Sequence, residues 1–112
     1  MTDSTSADLL IVITSFANSH DAQVMAHQLI EKKLAACVQI QDSIQSVYRW
    51  DGAICQEKEC VLTAKTIASK WQELRTFIKS THPYALPELI GITPSEYDEA
   101  YGRWVQVEVD TK

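Results

Sequence analysis

Basic residues are few and scattered. The 112-residue chain sets 10 Lys and Arg against 15 Asp and Glu, a formal net charge of −5, and only Lys32 and Lys33 are adjacent. Such a chain has no basic stripe to meet phosphates, which argues against a nucleic-acid partner. Long hydrophobic runs are also lacking. Leu9–Ile13 is far too short for a membrane span, and no basic segment precedes it, so neither membrane insertion nor a signal peptide is expected. Cysteine occurs three times, at Cys37, Cys55 and Cys60. The odd number, without C-x-x-C spacing, argues against a disulfide framework or a zinc knuckle, and a reducing cytoplasm is the expected location. The three glycines and three prolines are not clustered, and no repeat or low-complexity tract is present. The length points to one domain. It is expected over residues 9–112, after a loose tail at 1–8.

What is present is periodicity. LLIVITSF, from Leu9 to Phe16, reads as a strand buried on both faces. Asn18 or Ser19 can cap a helix whose Ala22, Met25, Ala26, Leu29 and Ile30 form one apolar stripe, ending near Lys33. LAACVQIQ then alternates with period two, and Asp42-Ser43 permits a bulge. Asp51-Gly52 lies between two strand-like runs, a strong hairpin signal. Both arms exceed the usual strand of about 5–6 residues. The hairpin is therefore expected to project, and its exposed edges call for a partner chain.

A second helix, capped at Thr66 or Ser69, carries Trp71, Leu74, Phe77 and Ile78 inward and stops at Pro83. Glu88–Thr93 reads as a strand. Thr93, Pro94 and Glu96 look like a helix start, and WVQVEV alternates like a final strand. The order predicts a ferredoxin-like βαββαβ α+β sandwich with an additional C-terminal helix and short strand. Both long helices should cover one sheet face. The other face is expected to need a partner subunit.

The segments EKKLAACVQI, SVYRWDGAICQEKE, LTAKT, THPYALPELI and YGRWV occur in this order. Their register, from about Leu9 to Val109, closely resembles the CutA (CutA1) divalent-cation tolerance family. The resemblance implies a stable cytoplasmic homotrimer that binds copper or other divalent metal ions, has no enzymatic activity and supports metal tolerance. It implies no cofactor required for folding. At fold level alone it is also similar to the trimeric PII signalling proteins. An alternative function is thus a small-molecule sensor or scaffold acting from a cleft between subunits.

His82 matches a proposed copper ligand of the family. Thr81 and Ser15 stand where some members carry a second histidine and a cysteine. One imidazole cannot hold a metal tightly, so a hydrogen-bonded turn histidine is the favoured alternative. Cys37 is a second metal candidate, although a lone cysteine between small residues more often packs in a core. Tyr48, Trp50, Glu59, Lys65, Tyr84 and Glu88 are candidates for a cleft lining, with Glu88 and Lys65 as a possible ion pair. For Trp50 and Trp104 a place in a subunit interface is the favoured reading. No nucleophile–base grouping or phosphate loop favours an enzyme.

Overall fold

The computed structural model describes residues 8–110. Its centre is the antiparallel pair of β1 (Leu9–Phe16) and β3 (Ala53–Ile67), with β2 (Cys37–Trp50) outside β3 and the short β4 (Ile90–Ile92) outside β1. The strand order is β2-β3-β1-β4 and all pairings are antiparallel. Two interleaved β-α-β crossovers produce this order: α1 (Ser19–Glu31) links β1 to β2, and α2 (Trp71–Thr81) links β3 to β4. The tail expected at 1–8 lies outside the described residues except for Asp8, whose carbonyl accepts from the Ala68 amide at 2.8 Å.

Alternation divides the sheet cleanly. Leu10, Val12 and Phe16 of β1 join Cys60, Leu62 and Ala64 of β3 beneath Ala22, Met25, Leu29, Leu74 and Ile78 of the two helices. Gly91 fits here because a Cβ would sit 3.1 Å from the Trp71 ring. The opposite face is different. Ile11 and Ile13 are only half-buried, and Ile90 and Ile92 are exposed. β1 is thus covered on one face rather than both, since both crossover helices pack on the same side.

Part of that second face is closed by α3 (Glu99–Val109), where Val105 and Val109 bury against Leu9 and Ile67. This corrects the expected final strand. Positions 105 and 109 are one helical turn apart, and contact with the sheet decides between two periods that the sequence permits. The helix also starts later than Thr93: Asp98 is its cap, accepting from the Tyr101 amide at 3.0 Å. At α2 the expected capping box is replaced by a 3-10 turn, Ala68–Lys70, and Lys70 makes no side-chain cap bond.

The hairpin forms as expected. Asp51 and Gly52 have φ of 51° and 79°, the left-handed pair that matches the strand twist. β1 pairs with β3 only from Cys60 onward, so residues 53–59 and 44–50 form a two-stranded arm. The molecule measures 51 × 27 × 22 Å as a result. Between Gln41 and Ile44 the register slips by one residue. Ser43 takes φ 62° there, and Asp42 accepts from its amide at 2.8 Å.

α1 ends on a left-handed cap. The Leu34 amide donates to the Leu29 carbonyl at 2.9 Å and Lys33 donates to Ile30 at 3.1 Å, with Lys33 at φ 57°. Leu29 and Leu34 meet in the core beside it. A lysine there meets the Cβ clash that glycine avoids, worth about 1–2 kcal/mol, partly offset by glycine's freer unfolded chain. Lys33→Gly is therefore expected to stabilise the chain by about 0.5–1 kcal/mol. A urea midpoint that stays put or falls would contradict this reading of the cap.

Candidate functional site

A cleft of about 650 Å³ opens between the hairpin arm and the turn at 83–88, reaching Ser15 at the end of β1. The bulge in β2 builds one wall. Before it, Cys37, Gln39 and Gln41 share the face of Lys65, Thr63 and Val61; after it, Ser46 and Tyr48 stand opposite Glu57 and Cys55. One inserted residue exchanges odd for even positions. Tyr48 and Trp50 thereby join Glu57 and Glu59 in the cleft lining.

His82 fastens the other wall. Pro83 disfavours helix at His82, which ends α2 with extended backbone at φ −71° and ψ 137°. Its Nδ1 accepts from the Tyr84 amide at 3.1 Å, so Nε2 carries the proton and donates to the Ser15 carbonyl at 2.8 Å. The ring stacks on Phe16 at 4.3 Å. Burial pushes the imidazole below its ordinary pKa, against opposing effects from the Ser15 bond and Asp21.

Three carboxylates line the space, each matched with a hydroxyl. Tyr84 donates to Glu59 at 2.7 Å, Tyr48 to Glu57 at 2.8 Å, and Ser15 to Glu88 at 3.3 Å. Burial first, then the Glu59 bond, pushes the Tyr84 phenol well above its usual range. Tyr48 is pushed up to about 12, mainly by its bond to Glu57. Both phenols remain protonated donors at neutral pH. Among the described residues no Lys, Arg or His side chain lines the cleft. Among the described residues the one ion pair is Arg103–Glu99, away from this site.

Tyr48, Trp50, Glu59, Tyr84 and Glu88 thus come together; Lys65 and Cys37 do not. Lys65 lies opposite Cys37 at the base of β2, and its Nζ donates to Gln39 Oε1. The expected Glu88–Lys65 pair is corrected accordingly. Glu88 meets Ser15, whose β3 partner is Val61, four residues and about 13 Å along the strand from Lys65. Cys37 is half-buried near Tyr101 of α3, whose phenol is pushed up by burial first and by the Cys37 thiol second. Glu57 is the lining carboxylate that the sequence reading passed over. Its spacing of two from Glu59 was the available signal.

Divalent-metal chemistry can be tested against these donors. Among the described residues no three His, Cys, Asp or Glu side chains converge to hold an ion. The cleft offers carboxylate and hydroxyl oxygens, which suit harder cations than copper. His82 Nδ1 can become a ligand only by releasing the Tyr84 amide.

The CutA1 divalent ion tolerance protein family matches residues 10–108. The chain belongs to that family. The divalent-cation tolerance protein CutA of Thermus thermophilus is 31% identical over 96 residues, covering 86% of this chain and 93% of the relative. CutA from Synechococcus elongatus has a solved structure that is 39% identical, with TM-score 0.88 over 95% of this chain and 94% of its own. CutA1 from Oryza sativa gives TM-score 0.90 at 30% identity, covering 96% and 99%. The Archaeoglobus fulgidus structure, at 29% identity and TM-score 0.88 over 91% and 99%, is described as a periplasmic divalent cation tolerance protein. No helix among the described residues of this CutA-family chain is long and apolar enough to cross a membrane.

His82 supplies a pH test. Because the folded chain holds the imidazole neutral, the unfolded chain binds more protons below the ordinary histidine pKa of 6.5. This contribution to stability is complete above pH 6.5 and is lost as pH falls through the lowered folded value. His82→Gln should be less stable at pH 7.5 by about 1–3 kcal/mol, since it disrupts buried hydrogen bonds. It should also lose less stability than the parent between pH 6.5 and 5. Parallel denaturation curves across that range would refute the neutral, doubly bonded imidazole.

Proposed function

We propose that the chain is a non-enzymatic, cytoplasmic homotrimer that binds divalent metal ions, copper among them, and serves divalent-cation tolerance. The family match over residues 10–108 carries this reading. Two features of the fold support the assembly. The sheet face opposite α1 and α2 exposes Ile90 and Ile92, and the arm leaves strand edges unpaired. Exposed Trp104 on α3 suits subunit contacts. The metal reading is linked to that assembly. One chain's described residues bring no three ligands together. A second subunit supplies the remaining donors beside Glu88, or His82 gives up its bond to Tyr84. The expected single domain at 9–112 belongs to this proposal.

A second reading makes the same cleft the receptor of a small molecule, with the assembly acting as a sensor or scaffold for partner proteins. The cleft itself favours it: its 650 Å³ volume falls within the usual range for small-molecule sites.

Sedimentation equilibrium should return three chain masses. Calorimetry of chelator-stripped protein should show saturable binding of copper, with nickel and zinc competing. Glu88→Gln should weaken copper about tenfold, as expected for losing one charged contact. Cys37→Ser should leave it unchanged, because that thiol stands apart. A stable monomer would remove the assembly, and no saturable heat with any of the three metals would remove the metal role.

A further inference from the structure

The cleft has an unusual balance of charge. Glu57, Glu59 and Glu88 line it, none has an ion-pair partner among the described residues, and no basic side chain shares the lining. Tyr84, Tyr48 and Ser15 each donate to one of these carboxylates, fixing its orientation while leaving oxygen lone pairs free. The rest of the wall is aromatic and aliphatic: Trp50, Tyr48, Pro83, Ala85 and Leu86. Leu86 is 70% exposed and Trp50 51%, so this apolar surface lacks cover among the described residues.

These properties select a ligand class. An inorganic anion is repelled by three carboxylates. A bare divalent ion uses the oxygens but leaves the apolar wall wet, in a space far larger than one ion. A neutral apolar molecule leaves the carboxylates unanswered. A positively charged molecule with an alkyl stem satisfies both, because ammonium groups donate to carboxylates and are attracted to indole and phenol faces. Glu57 and Glu59 lie two residues apart on β3, about 7 Å, a separation that the two ends of a short alkyl diamine can reach.

We infer that the cleft between the hairpin arm and the 83–88 turn receives a small organic dication, an alkyl diamine or polyamine. Its ammonium ends bind the Glu57, Glu59 and Glu88 carboxylates while its methylene stem lies along Trp50 and Leu86. This inference rests on the second reading above; a metal at Glu88 would compete with the dication, so the test excludes metal by chelation.

Three five-carbon probes test it on the full chain in chelating buffer: pentane-1,5-diamine, pentane-1,5-diol and glutarate. Calorimetry should show saturable binding of the diamine alone, weakening as salt rises. Glu59→Gln and Glu88→Gln should each weaken it about tenfold, as expected for losing one charge-assisted contact. Glu73→Gln, on the exposed side of α2, should leave it unchanged. Glutarate or diol binding without the diamine would overturn the inferred charge while keeping the small-molecule reading. Diamine binding unchanged in both cleft variants would overturn the site. Silence with all three probes would overturn both the inference and the reading on which it rests.

Discussion

The His82 imidazole ties two parts of the chain that are 67 residues apart. Its Nε2–H holds the end of β1 through the Ser15 carbonyl, and its Nδ1 holds the amide of Tyr84. A change of tautomer breaks both bonds, whereas protonation breaks only the one from the Tyr84 amide, because Nδ1 can then no longer accept. The turn at 83–88 is consequently fixed relative to β1. From that turn Tyr84 reaches Glu59, and Glu88 accepts from Ser15. Losing the imidazole would free the wall that positions both carboxylates. A histidine first considered as a ligand thus has a sufficient physical reason to be where it is, before any metal is considered.

The bulge at Asp42-Ser43 is the second constraint, and it operates through parity. In a regular β2, the positions continuing the face of Gln39 and Gln41 would be odd-numbered. The inserted residue places Ser46 and Tyr48 opposite Glu57 and Cys55 instead. Ser43 adopts φ 62°, which costs a non-glycine residue, while Asp42 recovers part of that cost by accepting from its amide. Strain in the strand is exchanged for an aromatic wall facing the carboxylates.

The fold was legible where local chemistry and packing agree. Asp51-Gly52 marked the hairpin because few other pairs tolerate two positive φ values, and Asn18 marked α1 because its side chain accepts from Asp21. The C terminus was misread where they compete. Residues 104–109 alternate like a strand, yet they fold as a helix whose Val105 and Val109, one turn apart, pack on Leu9 and Ile67. The site was legible in part. Tyr48, Trp50, Glu59, Tyr84 and Glu88 were expected in one cleft, and Pro83 marked the end of α2. That Glu88 meets Ser15 rather than Lys65 depends on the β1–β3 register, which no local pattern encodes.

The sheet's two faces bear on both the proposed assembly and the proposed recognition. One face is filled by Leu29, Leu74 and Ile78, each fully buried. α3 reaches only the end of the other, so Ile90 and Ile92 remain at 47% and 43% exposure. The cleft opens beside this uncovered surface, and the arm that walls it projects beyond β1. A subunit that covers the isoleucines and pairs with the arm would lower the local dielectric around three carboxylates that lack ion-pair partners among the described residues. Repulsion among them would rise on assembly unless a cation entered. In the proposed trimer a bound cation would relieve a repulsion that assembly raises, and linkage makes that coupling mutual.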